Sequence, residues 1–217
     1  MNNLITLKNF SFAFSEKDIF QEIDLEIPLE GVSLLSGENG SGKSTFCRLL
    51  LALQSGYKGK LLFNDLEIAG TDTESIAEEI IYLRQSPSLN LLAATSMLDL
   101  GIWQAGFEVN NIDEAAIEKA LNYFDMLNYK DKPVWELSEG QRQRVALAAL
   151  LLNKQKIWLL DEPAAGLDST RQRQLKKLII EQSKQKGILI ISHRYDLFAD
   201  VSEKIYEIKE KSINLRK

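Results

Sequence analysis

The amino-acid sequence predicts a mixed α/β fold with an antiparallel β portion near the N-terminus. Short apolar and β-branched runs crowd the start of the chain, and strand-like and helix-like segments alternate towards its end. A glycine-rich loop also joins an apolar run to a helical one. With 217 residues, the chain is long enough for one domain, or one domain with a subdomain, and for a core that needs no disulfide.

The individual elements follow from residue type and spacing. Apolar and β-branched runs predict strands at residues 4–7, 19–27, 32–35, 60–63, 79–83, 156–160, 187–191 and 204–208. Helices are predicted directly after Gly42 and at residues 113–127, 140–152 and 169–183, with Asp113 and Ser169 as N-cap residues. Asn64-Asp65 predicts a turn. Residues from about 86 to 135 carry weaker strand signals, which favours a helical insertion placed on the core.

The composition excludes several classes of protein. A net charge of −5 gives no basic footprint, so we expect no nucleic-acid partner. The single cysteine, Cys47, allows no intramolecular disulfide and fits a reducing compartment. No apolar run approaches the roughly 20 residues that span a bilayer, and the N-terminus does not read as a signal peptide. We therefore expect any action at a membrane to depend on partners.

A phosphate-binding loop is predicted by the stretch Gly37-Glu38-Asn39-Gly40-Ser41-Gly42-Lys43-Ser44, which fits G-x-x-x-x-G-K-[ST] between a strand and a helix. The glycines let backbone N–H groups surround phosphate oxygens, and the following helix adds a partial positive charge. Lys43 would reach the β- and γ-phosphates, and Ser44 would bind Mg²⁺. The alternative is a glycine-rich turn before an ordinary helix, and the strand–loop–helix context argues against it.

Two carboxylates, Asp161 and Glu162, follow the apolar strand predicted at residues 156–160. Carboxylates at this end of a buried parallel strand lie at the ligand edge of a sheet. Asp161 suits Mg²⁺, directly or through water, and Glu162 could polarise an attacking water. Alternatively, Asp-Glu-Pro ends the strand and begins a turn. The upstream phosphate loop favours the catalytic interpretation.

His193, the only histidine, follows the strand predicted at residues 187–191. A lone histidine is more often structural than catalytic. At the end of a core strand, however, it could donate a hydrogen bond to a γ-phosphate or to the water near Glu162.

A more specific signal is Leu137-Ser138-Glu139-Gly140-Gln141, upstream of Asp161. The order of phosphate loop, Gln85, this pentapeptide, Asp161-Glu162, Asp168 and His193 resembles ATP-binding-cassette (ABC) ATPases over nearly the whole chain. The resemblance implies a P-loop NTPase core of the ABC type, as a single domain at residues 1–217. A helical subdomain at about residues 86–136 would be inserted in that core. It also implies ATP and Mg²⁺ as cofactors.

The resemblance assigns roles residue by residue. It implies catalytic roles for Glu162, His193 and Gln85, and metal binding by Ser44, Gln85 and Asp161. The residues it implies for nucleotide binding are Phe14, Asn39, Gly40, Ser41, Gly42, Lys43, Ser44, Thr45, Ser138, Gly140, Gln141 and Asp168. Phe14 resembles the aromatic that stacks on adenine, which is usually a tyrosine. Phe12 is the competing candidate, and both could be core residues.

In this family the signature pentapeptide contacts the nucleotide of an opposing subunit, which implies a head-to-tail dimer with two ATP molecules between the chains. Ser138 and Gln141 also fit a capping box, and both roles can hold at once. The chain departs from the family pattern at Glu139, where a carboxylate near phosphate is unfavourable. We expect Glu139 to point outward, towards Arg142 or a nearby lysine. The second subunit is either identical or different.

Residues 85–99 resemble a pattern of energy-coupling-factor importers of the cobalt and vitamin type. Gln85, Pro87, Leu91, Thr95 and Asp99 coincide with that pattern, while Asn90 stands for a glutamine and Ser96 for a valine. The resemblance implies a membrane coupling subunit that docks its cytoplasmic helices beside this segment, with a substrate-binding membrane subunit as a further possible partner. It also implies a peripheral location on the cytoplasmic face of the cell membrane.

Other functions remain open from the sequence. The alternative is an ordinary ABC helical subdomain that binds another membrane protein, including that of an exporter. A soluble ABC ATPase of DNA repair or translation is the second alternative, although the chain lacks sustained heptads and is acidic. The transported substrate cannot be read from the chain, because this subunit does not contact it.

Overall fold

A computed structural model describes residues 3–105 and 112–217. The strands are β1 (Leu4–Phe14), β2 (Lys17–Pro28), β3 (Val32–Gly37), β4 (Lys58–Phe63), β5 (Leu66–Glu67), β6 (Ile80–Leu83), β7 (Ile157–Asp161), β8 (Gly187–Ser192), β9 (Lys204–Lys209) and β10 (Ser212–Leu215). The helices are α1 (Lys43–Leu50), α2 (Thr73–Glu79), α3 (Ser96–Ala105), α4 (Glu114–Tyr123), α5 (Glu139–Leu150), α6 (Ser169–Gln182) and α7 (Tyr195–Phe198). Short 3₁₀ turns lie at Pro87–Leu89, Leu127–Tyr129 and Val134–Glu136.

The chain divides into two compact units. The first contains Met1–Tyr82, Gln155–Glu162 and Lys176–Lys217, and the second contains Leu83–Lys154 and Pro163–Leu175. The interpretation of the chain as one domain with a helical subdomain at about residues 86–136 stays a prediction.

Two sheets build the first unit and confirm the predicted mixed α/β class. A four-stranded antiparallel sheet has the order β2-β1-β4-β5 and contains the N-terminal strands. A six-stranded sheet has the order β10-β9-β3-β8-β7-β6. In that sheet β3 runs parallel to β8 and β9, and β7 runs parallel to β8.

The core of the first unit centres on α1. Phe46, Cys47 and Leu49 of this helix are fully buried in a cluster that also takes apolar side chains from both sheets. The rings of Phe20 and Phe46 lie 6.3 Å apart between centroids, in an edge-to-face arrangement. Burying each such side chain stabilises the fold by roughly 1.5–3 kcal/mol. The core therefore holds the start of α1 rigidly.

The parallel strands determine where polar residues collect. The carboxyl ends of β3, β7 and β8 lie at one edge of the sheet, because Asp161 is in register with Ile191 and Ser36 with Ser192. The residues that follow these ends are therefore close in space.

The second unit is helical. Helix α5 packs against α3, α4 and the turn Pro87–Leu89. An isolated bridge joins Thr95 to Pro133, and the N–H of Val134 donates to the carbonyl of Ala94 at 2.9 Å. These contacts hold the segment before α3 beside the segment before α5.

The structure corrects several predicted boundaries. Glu79 ends α2, so β6 begins one residue later than predicted. The helix predicted at 113–127 ends at Tyr123, because Asp125 has a left-handed φ of 52°. Asp113 caps it as predicted. Ser169 is wrong as an N-cap: it lies inside α6, and the carboxylate of Asp168 accepts from the N–H of Arg171 at 2.9 Å.

One predicted turn is confirmed, and several mostly short elements were not predicted. The turn at Asn64-Asp65 is confirmed, since both residues have positive φ, of 51° and 64°. The specific predictions omitted β5, β10, α2, α3 and α7, which are mostly short. Among the helices of the described part of the chain, none is both long and apolar enough to cross a membrane.

Candidate functional site

The phosphate loop joins β3 to α1 and requires glycine for steric reasons. Gly40 and Gly42 have φ of 80° and 109°. A Cβ on Gly42 would lie 2.6 Å from the Cγ2 of Ile19, whereas one on Gly40 would meet nothing within 4 Å. The backbone at Gly40 is therefore open to a close approach by a ligand.

Helix α1 begins without a side-chain cap. Gly42 precedes it, and its first turn contains no acidic residue. The first amides of a helix have no partner within the helix, and together with the helix dipole they favour an anion. The buried hydroxyl of Ser41 also has no hydrogen-bond partner among the described residues. These groups suit a phosphate, and Asn39, Ser44 and Thr45 belong to the same segment.

The ammonium of Lys43 turns back over the loop. Its Nζ donates to the carbonyl oxygens of Gly37 and Glu38 at 2.8 and 2.9 Å. Burial lowers the pKa of Lys43, and the nearby carboxylates of Glu162 and Asp161 oppose this shift. A phosphate at the loop would supply the strong counter-charge that backbone carbonyls do not provide.

The carboxylate of Asp161 is held by one oxygen. Its Oδ2 accepts from the hydroxyls of Ser44 at 3.0 Å and Tyr82 at 3.2 Å. Its buried Oδ1 has no partner within residues 3–105 and 112–217. Burial raises the pKa of Asp161, against the hydrogen bonds from Ser44 and Tyr82. A carboxylate oxygen, a hydroxyl and space for phosphate oxygens form the hard oxygen set that Mg²⁺ takes. The residues present therefore fit Mg²⁺.

Glu162 follows directly and occupies a left-handed backbone conformation with φ of 49°. Its Oε2 accepts from the hydroxyl of Ser192 at 2.8 Å. Its Oε1 accepts from the backbone N–H of His193 and lies against that residue's Nδ1, both at 2.7 Å. A non-glycine residue in this conformation costs about 1–3 kcal/mol and is common at functional sites.

His193 and the two candidate adenine-stacking residues, Phe12 and Phe14, also lie in the first unit. A cavity of about 350 Å³ is lined by Gly37, Glu38, Asn39 and His193, among others, so the phosphate loop and the histidine border one space. Phe12 is a core residue with 3% exposure, whereas Phe14 is 40% exposed and packs edge-on against it at 4.8 Å.

In the second unit, α5 begins with a complete capping box. The hydroxyl of Ser138 accepts from the N–H of Gln141 at 3.3 Å, and the Gln141 side chain accepts from the N–H of Ser138 at 2.8 Å. A Cβ on Gly140 would lie 2.7 Å from the carbonyl oxygen of Gly166. Glycine is therefore required where the start of α5 meets the loop before α6.

Glu139 is exposed, in keeping with an outward orientation. The expected partner Arg142 is engaged elsewhere. Its guanidinium donates to the hydroxyl of Ser88 at 3.0 Å and to the carbonyls of Val134 and Trp135 at 3.0 and 2.8 Å. Arg142 thus links α5 to two neighbouring turns, and it forms no ion pair with Glu139 in the described residues.

The segment after β6 folds around two buried polar side chains. The Asn90 amide accepts from the N–H of Arg84 and donates to its carbonyl, both at 2.9 Å, which closes a loop that contains the exposed Gln85. The buried carboxylate of Asp99 accepts from the N–H groups of Leu92 and Ala93. Burial raises the pKa of Asp99, and these bonds oppose the shift.

The structure thus groups the predicted residues by unit. In the first unit it brings together the phosphate loop, Asp161, Glu162 and His193. In the second, Gly140 meets the loop before Asp168. Sequence reasoning missed Tyr82 and Ser192, which bind the two carboxylates. Their positions, three residues before Gln85 and one before His193, were the available signal.

Comparison with known proteins identifies relatives of this arrangement. The family model described as ABC transporter matches residues 20–165. The cytochrome c biogenesis ATP-binding export protein CcmA of Vibrio cholerae is 30% identical over 197 residues, which cover 91% of this chain and 94% of that protein. The iron(3+)-hydroxamate import ATP-binding protein FhuC of Bacillus subtilis is 29% identical, over 98% of this chain and 81% of that protein.

A solved structure shares the fold. It is that of cbiO1 from Clostridium perfringens, described as part of the ABC transporter complex cbiONQ. The TM-score is 0.81 and the sequence identity 27%, over 99% of this chain and 88% of that one.

Proposed function

The chain belongs to the ABC transporter family as an ATP-hydrolysing subunit, and from this premise we propose that it powers energy-coupling-factor-type import of a metal ion or vitamin. The reaction is ATP plus water to ADP and phosphate. The observation that carries the hydrolytic part is the Glu162 carboxylate, held at the sheet edge that also presents Ser44 and Asp161.

Each residue of the first unit has a chemical role in this proposal. The α1 amides and Lys43 bind the β- and γ-phosphates, and Lys43 exchanges its bonds to the Gly37 and Glu38 carbonyls for phosphate oxygens. Glu162 orients the attacking water and accepts its proton. His193 lines the cavity beside the phosphate loop, which supports a contact with the γ-phosphate.

Mg²⁺ would be held by Ser44 and Asp161, with Gln85 as a further contact to the ion or to the water. When bound, the ion neutralises charge on the transferring phosphoryl group. The unpartnered Asp161 Oδ1 supports this assignment, because a buried carboxylate oxygen without a partner is costly. Phe14 stacks on adenine, and its exposure beside the buried Phe12 supports that choice.

The second unit serves the nucleotide of an opposing subunit. Ser138, Gly140, Gln141 and Asp168 contact it across a head-to-tail dimer. The exposure of Ser138 and Glu139 at the start of α5 supports a surface that a second subunit covers. Glu139 points away from that nucleotide.

An exposed apolar patch supports a membrane partner. It consists of Leu89, Leu92, Leu98 and Trp135, which are 58–65% exposed. The Arg142 contacts to Ser88 and Trp135, and the bridge between Thr95 and Pro133, hold these side chains on neighbouring segments. We assign the patch to cytoplasmic helices of a membrane coupling subunit, which keeps the chain peripheral on the cytoplasmic face.

Import of the energy-coupling-factor type is supported by the motif in residues 85–99 and by the similarity to cbiO1. Within that motif, Asn90 and Asp99 build the loop that carries the apolar patch. Export is the second candidate, favoured by the 30% identity with a relative whose name denotes an export protein. The two candidates share the hydrolytic site and differ in the membrane partner.

Replacing Glu162 by glutamine tests the hydrolytic site. We expect kcat to fall by about 10²–10⁴-fold, because the amide cannot accept the proton. Light scattering should still detect an ATP-dependent dimer. Glu181→Gln, an exposed change on α6, is the matched control and should keep the normal rate. Normal turnover by Glu162→Gln would show that this assignment is wrong.

Replacing Leu92 by aspartate tests the docking patch. We expect recovery of a polytopic membrane protein with the tagged chain to fall about tenfold or more, because a charge enters an apolar interface. Leu66→Asp, at an exposed leucine of the first unit, should leave recovery unchanged. Both variants should keep ATP binding.

The identity of the recovered protein separates the two candidates. A coupling subunit together with a separate substrate-binding membrane protein supports import of the energy-coupling-factor type. A membrane subunit that accumulates substrate on the outer side in vesicles supports export. Recovery of no membrane protein contradicts both.

A further inference from the structure

The carboxylate of Glu162 is surrounded by donors from the end of β8. The hydroxyl of Ser192 binds Oε2 at 2.8 Å, and the backbone N–H and Nδ1 of His193 both lie 2.7 Å from Oε1. The backbone N–H of Glu162 donates to the carbonyl of Ile191 at 2.8 Å. Each carboxylate oxygen therefore has its own partner.

Ser192 is the more firmly held of the two side chains in this set. It is 1% exposed, and its hydroxyl also accepts from the N–H of Arg194 at 3.0 Å. Strand β8 pairs with β3 on one side and β7 on the other, with Ser36 directly opposite Ser192. Rotation of the Ser192 hydroxyl would break its bonds with Glu162 and Arg194, and at 1% exposure solvent could hardly replace them.

The His193 side chain is different in this respect. It is 49% exposed, while the Glu162 side chain is 8% exposed. Rotation of the imidazole about its side-chain bonds breaks one contact to Oε1 and leaves the strand intact. If the imidazole leaves Oε1 to contact a γ-phosphate, Ser192 can still keep its bond to Oε2.

We propose that Ser192 is the positioning residue that keeps Glu162 aimed at water when His193 turns to the nucleotide. This inference rests on the proposed function, in which Glu162 accepts the proton of the attacking water. Ser192 donates to Oε2 in all states, so Oε1 is the oxygen that receives the proton. The water oxygen bonds to the γ-phosphorus, and the bond to the bridging oxygen breaks towards ADP.

The need for such a residue follows from the backbone. Glu162 occupies a left-handed conformation at the end of β7, and its side chain carries three rotatable bonds. Without the Ser192 hydroxyl, only the backbone N–H of His193 would hold the carboxylate once the imidazole leaves, and Oε2 would be left without its donor. Misplacing a catalytic group by about 1 Å lowers rates by about 10²-fold in well-built sites.

Ser192→Ala tests the inference. We expect kcat to fall about tenfold to hundredfold, with KM and the equilibrium affinity for ATP unchanged, because Ser192 does not contact the nucleotide. Ser192→Thr retains the hydroxyl and should recover most of the rate. Ser192→Cys keeps the volume with a weaker donor and should fall between the two.

The matched control is Ser33→Ala. Ser33 is also 1% exposed and lies on the neighbouring strand β3, but its hydroxyl donates to the carbonyl of Pro28 at 3.3 Å. Its loss should lower the melting temperature about as much as Ser192→Ala and leave kcat unchanged. A matching pair of melting temperatures with different kcat values separates positioning from general stability.

Two outcomes would overturn the inference. In the first, Ser192→Ala turns over like Ser33→Ala. In the second, Ser192→Thr is as slow as Ser192→Ala. If Glu162→Gln is inactive and Ser192→Ala is fully active, only the role of Ser192 fails. If Glu162→Gln turns over normally, the proposed catalytic site fails as well.

Discussion

Helices α1 and α5 both begin at residues predicted to bind phosphate, yet their first turns are built differently. Helix α1 follows Gly42, which has a left-handed backbone and supplies no side-chain cap. Helix α5 follows Ser138, which forms a reciprocal capping box with Gln141. The start of α1 therefore leaves its backbone N–H groups available to a ligand. The start of α5 satisfies some of its N–H groups with its own side chains.

This difference separates the two proposed phosphate sites. Around α1, Ser41 Oγ and Asp161 Oδ1 are buried without partners in the part of the chain that the structure describes, and Lys43 bonds to its own loop. Such groups are costly until an anion and a cation arrive, so ligand binding should stabilise this region strongly. The start of α5 satisfies part of its own hydrogen-bonding capacity through the capping box, which suits the proposed role of a surface that meets a nucleotide only when another subunit brings one.

Lys43→Ala should give the largest effect, because it removes the only side-chain cation of the phosphate loop. We expect ATP turnover to fall by about 10²-fold or more, and ATP affinity to fall as well. The melting temperature without ligand should change little, since burial already disfavours the ammonium. Steady-state kinetics and fluorescent-nucleotide binding measure these effects.

The control for that experiment is Lys60→Ala, at an exposed lysine of β4. It should match the parent protein in turnover and in ATP affinity. If Lys43→Ala binds ATP as tightly as the control, α1 does not form the phosphate site described above.

Ser138→Ala should show a smaller effect on stability, because it removes the cap of α5. We expect a loss of about 1 kcal/mol, within a range of 0.5–2 kcal/mol. For a chain of this length, that corresponds to a melting temperature about 2–4 °C lower. Calorimetry without nucleotide measures it. No equivalent substitution exists at the start of α1, because Gly42 supplies no side-chain cap.

Ser138→Asn separates the two roles of this residue. Asparagine is an equally good N-cap, so stability should return. The hydroxyl that we propose to contact the nucleotide of the opposing subunit is absent, so turnover of the dimer should stay low. If activity returns with the cap, Ser138 serves only to start the helix.

The smallest effect concerns the pH dependence of the free energy of unfolding. Asp161 and Asp168 should contribute to it with opposite signs. Burial raises the pKa of Asp161, so its contribution to stability is present below the unfolded value and lost as pH rises through the folded value. The N–H of Arg171 lowers the pKa of Asp168, so its contribution is present above pH 3.8 and lost as pH falls through the folded value.

Denaturation without Mg²⁺ or nucleotide, from about pH 3 to 7, measures this contrast in Asp161→Asn and Asp168→Asn. The stability of Asp161→Asn relative to the parent should rise with pH. That of Asp168→Asn should fall with pH, while asparagine keeps the helix cap. If the relative stabilities of the two variants change with pH in the same direction, the predicted contrast between Asp161 and Asp168 is wrong.

The sequence predicted most of the fold because its strands are continuous apolar runs. All the predicted strand runs lie within or at the edge of observed strands. Short elements such as β5 and β10 were missed, since two to four residues carry too little periodicity. The wrong cap at Ser169 arose because Asp168 and Ser169 are both good N-cap residues, and only the backbone conformation separates them.

The candidate site was predicted unevenly for a similar reason. Lys43, Asp161 and Glu162 lie in ordered motifs, so residue type and spacing identified them. Tyr82 and Ser192 are 79 and 30 residues away from the carboxylates they bind. Arg142 was expected near Glu139 and binds two other turns. Such contacts are long-range and have no signature in the local pattern.

By itself, the sequence determined the α/β class, the phosphate loop and the two carboxylates at the end of β7, because local spacing and hydrophobic period encode them. Only the tertiary structure decided which donors hold each carboxylate, which helix start is capped, and that Phe14 is exposed while Phe12 is buried. The physical reason is that parallel strands bring distant residues to one edge of the sheet, and that packing decides which of two similar side chains remains exposed.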